Sequence, residues 1–258
     1  ALGLRECSLG DEGVEAISQS AWVSGRKSAK VLSLRHNQVT AAGIRHLLAS
    51  LRSAPEDRLM WLELDFNPLS DGGVQPVVGY LKQRAARGGG GLEELSLRFC
   101  GVGPAGCRYL SSSLVKSAAS ASAYEAAVLA GPATSDGGAG KRFGVAHKTP
   151  SSVEAREKTG EEVESAKPPA SGIRRLLLTG NHLGEQGARA LASAVRKDRS
   201  LEVLDLTRCH IGDDGARCLA DALRTNTCLR ELRLGYNEIS ADGASALASL
   251  LHAGPGTL

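Results

Sequence analysis

One short motif, printed at a near-constant interval, governs what this chain can become. Three successive stretches, IRRLLLTGNHLGEQGARALASAV from Ile173, LEVLDLTRCHIGDDGARCLADAL from Leu201 and LRELRLGYNEISADGASALASLL from Leu229, place Asn181, Cys209 and Asn237 at intervals of 28 residues. A period of that size marks a repeat architecture, in which each unit buries its apolar face on its neighbours. Within a unit the apolar spacing changes from two (Leu204 and Leu206; Leu232 and Leu234) to about four (Gly215, Leu219, Leu223; Gly243, Leu247, Leu251). That change predicts a short strand followed by a helix.

The same register runs through the N-terminal part. Its slots hold Leu2, Leu4, Cys7, Leu9, Gly13 and Ile17, then Leu32, Leu34, Asn37, Val39, Gly43 and Leu47. Leu62, Leu64, Asn67, Leu69, Gly73 and Val77 follow, and then Leu95, Leu97, Cys100, Val102, Gly106 and Leu110. The intervals from Cys7 to Asn37, Asn67 and Cys100 are 30, 30 and 33 residues, and the run RGGGG from Arg87 to Gly91 absorbs the excess as a flexible connector. Between Cys100 and Asn181 the register breaks for 81 residues. Roughly Lys116 to Ala170 is extra: rich in Ala, Ser, Gly and Pro, without an LxL strand, and balanced at seven basic and seven acidic residues. Such a stretch lacks the apolar content to offset its ordering entropy. The expected organisation is therefore four units over residues 1–115, a disordered insertion over 116–170 and three units over 171–258. The insertion's start, KSAASASAYEAAVLA, is expected to prolong the preceding helix, and Thr149 before Pro150 is a conceivable phosphorylation site.

The skeleton LxxLxLxxN/C-x-L/I-xxxG-xxxL, together with the helix signatures GARALASAV, GARCLADAL and GASALASLL, resembles the leucine-rich repeats of the ribonuclease-inhibitor type. These occur in ribonuclease inhibitor, Ran GTPase-activating protein, tropomodulin and the sensor ends of NOD-like receptors. The resemblance covers about 200 of the 258 residues. The order Cys7, Asn37, Asn67, Cys100 departs from the strict Asn/Cys alternation of that family, which Asn181, Cys209 and Asn237 follow. The resemblance implies an α/β solenoid of about seven repeats with one disordered insertion. Parallel strands stack at ~4.8 Å and helices need ~8–10 Å, so such a stack must bend into a horseshoe with strands on the concave face and helices on the convex one. The recurring glycines, Gly13 to Gly243, are expected to let each helix approach the adjacent strand.

Composition narrows the function classes. Hydrophobic residues make up 42% of the chain but aromatics only 3%, which suits thin, regular, stacked units. A net charge of +3 gives no strong bias toward nucleic acid or an anionic membrane, and no apolar run approaches the ~20 residues that span a bilayer. Cys7, Cys100, Cys107, Cys209, Cys218 and Cys228 form no CxxC pair, and three of them share the Asn slot. They read as buried free thiols in a reducing compartment, not as a disulfide framework or zinc site. No signal peptide is legible, and the chain reads as a piece of a longer one. His36, His46, His147, His182, His210 and His252 fall at no metal-ligand spacing and read as scattered surface residues. The run GVGPAG from Gly101 matches a dinucleotide fingerprint, yet Gly106 is the repeat glycine; in GGAGKR, Ser135 and Arg142 break the phosphate-loop pattern. No catalytic constellation, metal site or cofactor is expected.

The register also names the residues between and after the strand leucines: Gly3, Arg5 and Glu6; Ser33, Arg35 and His36; Glu63, Asp65 and Phe66; Ser96, Arg98 and Phe99; Leu177, Thr179 and Gly180; Asp205, Thr207 and Arg208; Arg233, Gly235 and Tyr236. Phe66 and Phe99, two of the three phenylalanines, share one slot in adjacent units, and Tyr236 shares it three units later. Exposed rings beside arginines have the composition of interface hot spots. The candidate partner-binding residues are Arg35, Asp65, Phe66, Arg98, Phe99, Arg208, Arg233 and Tyr236. Acidic residues interrupt the arginines, which argues against a phosphate-backbone track. The expected function is a non-catalytic, cytoplasmic scaffold binding a protein partner, with the cytoskeleton as the alternative setting and with no nucleic acid, membrane or small-molecule substrate. The alternatives are a small-GTPase regulator resembling the Ran activator, whose acidic tail is absent here, and the repeat region of a NOD-like receptor or a cytoskeletal or axonemal protein.

Overall fold

Each strand leucine pair puts two apolar side chains on one face of a short extended segment, and seven such segments pair side by side. In the computed structural model, which describes residues 1–20, 29–54, 57–87, 91–114 and 172–251, the strands are β1 (Leu2–Gly3), β2 (Val31–Ser33), β3 (Trp61–Glu63), β4 (Glu94–Ser96), β5 (Arg175–Leu177), β6 (Val203–Asp205) and β7 (Glu231–Arg233). They form one open, parallel, seven-stranded sheet in sequence order. The register keeps the slots level: Leu2, Leu32, Leu62, Leu95, Leu176, Leu204 and Leu232 are successive partners. The helices that return the chain are α1 (Gly10–Ser18), α2 (Ala41–Ser53), α3 (Ser70–Ala86), α4 (104–114), α5 (Gly184–Val195), α6 (Gly212–Leu223) and α7 (Ala241–Leu251). Parallel strands at ~4.8 Å against helices at ~8–10 Å bend the stack with the strands inside.

The core lies between sheet and helices as one continuous leucine ladder, with Leu34, Leu64, Leu97, Leu178 and Leu206 fully buried. Where each chain leaves its strand, a buried Asn ties one unit to the unit before it. Asn67 Nδ2 donates to the carbonyls of Leu34 and Leu64 at 2.7 and 2.9 Å, and its Oδ1 accepts from the Asn37 and Val39 amides. Asn37, Asn181 and Asn237 repeat the pattern. Cys100 and Cys209 take over the donor half, each thiol donating to the carbonyl of the preceding unit at 3.2 Å. Burial pushes the Cys100 thiol up to about 12 and the Cys209 thiol up to about 11.

The break of register leaves the ladder intact. β4 pairs with β5 directly, Leu95 against Leu176, and Cys100 N donates to Asn181 Oδ1 at 3.1 Å. The insertion expected at 116–170, its helical start and Thr149 lie outside the described residues, as do His147, the GGAGKR run and residues 88–90 of the glycine connector.

Three expectations need correction. The repeat glycines do not make room for a strand: a β-carbon on Gly43 would lie 2.5 Å from Asp11 Oδ1 and one on Gly243 2.4 Å from Asp213 Oδ1, both at the preceding helix start, while on Gly13, Gly73, Gly187 or Gly215 it would first meet the apolar side chain four residues earlier. The cysteines are unpaired, but only Cys100, Cys107 and Cys209 are buried; Cys7 is exposed at the outer edge of the stack, and Cys218 and Cys228 are half-buried. Two of the histidines are not scattered: His182 and His210 share one slot in adjacent units and their rings stack at 5.2 Å.

Candidate interaction face

The strand slots continue into a column of left-handed backbone. Glu6, His36, Phe66, Phe99, Arg208 and Tyr236 all have φ between 52° and 58°, and Gly180 has φ +73°. A side-chain-bearing residue resists this conformation by roughly 1–2 kcal/mol. Here the ladder holds it: each amide of the column from Glu6 to Arg208 donates to a carbonyl of the next unit, Phe66 N to Arg98 O at 2.8 Å and Phe99 N to Thr179 O at 2.9 Å. The left-handed turn aims successive side chains at one another along the rim of the concave face.

Three of these side chains are stacked rings. His36 lies on Phe66 with centroids 4.0 Å apart and planes 14° apart, and Phe66 lies on Phe99 at 4.7 Å and 10°. Phe66 and Phe99 keep 37% and 39% of their surface exposed. Further along, Tyr236 stands well out of the surface, with the Arg208 guanidinium 4.9 Å above its ring. Register alone makes Phe66 and Phe99 neighbours; His36 occupies the same slot and completes the stack. Exposed Trp61, at the opposite end of β3, was not among the candidates, although its Nε1 reaches Glu93.

The charged candidates are layered. Asp65 is almost wholly buried: it accepts from Arg98 N at 3.0 Å and Ser96 Oγ at 2.5 Å, and faces Arg35 Nε at 3.4 Å. Asp205 is likewise buried and faces Arg98 at 3.8 Å and Arg233 at 3.5 Å. Burial alone would raise its carboxyl, but hydrogen bonds from Thr207 and Thr179 and the Arg98 charge hold it below the usual carboxylate value. Carboxylates thus sit beneath, and guanidinium groups reach the surface above them.

The glycine-rich bend at Gly101 is already filled. Asp71 Oδ1 accepts from Gly103 N at 2.7 Å and Gly106 N at 2.8 Å, so an acid of the preceding unit occupies the helix start where a phosphate would sit. Asp11 and Asp213 serve the next helix start in the same way. The signal was legible: Asp11, Asp71 and Asp213 each lie two residues before a repeat glycine. Among the described residues no group of three or more His, Cys, Asp or Glu is placed to hold a metal ion, and no helix is long and apolar enough to cross a membrane.

Comparison with known proteins agrees with this geometry. The profile of the family described as Leucine Rich repeat matches at four places, residues 1–18, 92–111, 197–220 and 225–248. The chain carries leucine-rich repeats. Among curated proteins, this leucine-rich-repeat chain is similar to the NACHT, LRR and PYD domains-containing protein 14 of Mus musculus, 33% identical over 116 residues. That alignment covers 45% of the chain and 11% of the relative's length. The match accords with the ribonuclease-inhibitor-like repeat of NOD-like receptors, and leucine-rich repeats of this kind are in general non-enzymatic protein-interaction domains.

Proposed function

We propose that the leucine-rich-repeat chain is a non-catalytic scaffold that takes a protein partner on its concave strand face, without cofactor, small-molecule substrate, nucleic acid or membrane. The stack of His36, Phe66 and Phe99 carries the reading. Rings that served only to pack would lie in the leucine layer; these are held in register by left-handed backbone, with more than a third of each phenylalanine open to solvent. Covering such rings contributes ~2 kcal/mol or more apiece at an interface. The six unpaired cysteines favour a cytoplasmic setting. We further propose that the chain acts as the interaction region of a larger protein, since the mouse relative carries NACHT and PYD domains, by its name, beside its repeats.

Affinity capture with quantitative mass spectrometry tests this, comparing wild type, Phe66→Ala/Phe99→Ala and a convex-face control, Arg45→Glu/Arg189→Glu. Proteins kept by the control and lost from the double variant, with melting unchanged, support the concave face. Identical sets from all three overturn it.

A further inference from the structure

Two arginines on the concave face make the same long reach, and only one finds all its partners. Arg5 spans from the first unit to the third: its Nε donates to Ser33 Oγ of the intervening unit at 3.1 Å, and its guanidinium meets Glu63 Oε2 at 3.1 Å. Ser33 itself donates to Glu63 at 2.7 Å, closing the triangle. Arg98 spans from the fourth unit to the sixth in the same way, but the residue in the Ser33 slot of the intervening unit is Leu177. Leucine offers no acceptor, and Arg98 Nε is buried without a hydrogen-bond partner among the described residues. The carboxylate at the far end, Asp205, is one methylene shorter than Glu63 and lies 3.8 Å away, beyond hydrogen-bond distance. Its Oδ2 is also shared with Arg233 at 3.5 Å. Asp205 is thus divided between two guanidinium groups; Arg233 also has Glu231 Oε1 at 2.7 Å, whereas Arg98 has no second ion-pair partner among the described residues. The Arg98 side chain remains 31% exposed, one residue before Phe99 in the ring stack.

We propose that the partner segment presents an Asp or Glu side chain to Arg98, next to an aromatic or aliphatic side chain that seats on Phe66 and Phe99. The partner's carboxylate meets the exposed end of the Arg98 guanidinium, which Asp205 does not reach within hydrogen-bond distance, and Asp205 is left to Arg233. The part-exposed guanidinium of Arg98, which Asp205 approaches only to 3.8 Å, selects an acid, not an amide or a base, and the adjacent rings select the apolar neighbour. This inference rests on the concave-face reading above, and it adds the chemistry of the occupant.

The probe is a library of random twelve-residue peptides displayed with their C-termini fused to the coat protein, so that only side-chain carboxylates are offered, and selected on the full chain. Selected peptides are then made C-terminally amidated and measured by fluorescence anisotropy against wild type, Arg98→Met, Leu177→Ser and Phe66→Ala/Phe99→Ala. The expected peptides carry Asp or Glu beside an aromatic or large aliphatic residue. Changing that acid to its amide weakens wild-type binding about tenfold or more. The same change has no further effect on Arg98→Met, which keeps the apolar stem over Leu177. Leu177→Ser, which gives Arg98 the acceptor that Ser33 gives Arg5, weakens binding without touching the rings. Peptides that depend on Phe66 and Phe99 but are indifferent to the acid and to Arg98 overturn this inference and leave the concave face standing. No enrichment over an unrelated control protein, or binding indifferent to all three variants, overturns both.

Discussion

The ring of Phe99 lies on Gly180: a β-carbon built at that glycine would come within 2.3 Å of Phe99 Cε1. Gly180 also has φ +73°, so it meets two requirements at once, a left-handed backbone and an empty space for its neighbour's ring. Gly180→Ala should destabilise the fold by about 1–2 kcal/mol from backbone conformation alone and should also push Phe99 off its seat. Thermal denaturation of Gly180→Ala, Phe99→Ala and the double variant separates the two. The ring contribution vanishes when Phe99 is already alanine, while the backbone contribution persists; equal penalties in both backgrounds would show that the ring does not rest there.

The Asn ladder predicts an ordering among substitutions at Asn67. Alanine removes an acceptor and a donor that are both buried, leaving the Asn37 and Val39 amides and the Leu34 carbonyl without partners. Each such group costs about 1–3 kcal/mol, so Asn67→Ala should cost about 3 kcal/mol or more. Asn67→Cys, which restores the donor half as Cys100 does in the next unit, should cost measurably less by urea denaturation.

Acid should loosen the helix starts. Asp213 is held below the ordinary carboxylate value of 3.8 by hydrogen bonds from the Ser240 hydroxyl and amide. At Asp11 burial pushes upward, but bonds from Thr40 and Gly43 outweigh it. At Asp205 burial again pushes upward and the Thr207 bonds outweigh it. Folded values below the unfolded one mean that the stabilisation is complete above 3.8 and is lost as pH falls through the folded values. Melting temperature should thus be nearly flat from about pH 7 to about pH 5 as far as these groups are concerned, and fall below about pH 4. Asp11→Asn/Asp213→Asn should have a lower melting temperature at neutral pH and a shallower acid fall.

Thiol chemistry should sort the six cysteines by place. Cys7 is exposed, whereas burial drives the Cys100, Cys107 and Cys209 thiols well above their usual value. Brief iodoacetamide treatment of the native chain at pH 8, followed by peptide mass mapping, should modify Cys7 and spare these three until denaturant is added. Early labelling of Cys100 would contradict the closed ladder.

Much of this was legible because the repeat converts position into place. Once Leu62 and Leu95 are known to be equivalent, Phe66 and Phe99 must be neighbours, and so must Arg98 and Thr179. What could not be read is how side chains divide one surface. Asp65 and Arg35 occupy equivalent slots, yet one lies beneath the face and the other upon it, because a short carboxylate can fold back on Ser96 Oγ and the Arg98 amide while a guanidinium cannot. The left-handed column was hidden as well, since Phe, Arg and Tyr give no propensity signal for positive φ; long-range amide bonds impose it. Trp61 carries no such positional signal, because it precedes the strand leucines, on the rim away from the ring stack.

The direct pairing of β4 with β5 has a consequence for what the protein can carry. Closing a loop costs only about 0.6 kcal/mol more for each doubling of its length. The junction between the fourth and fifth rungs is thus nearly indifferent to the size of whatever is spliced into it, and a foreign module grafted at that point would ride on the outside of an uninterrupted spine.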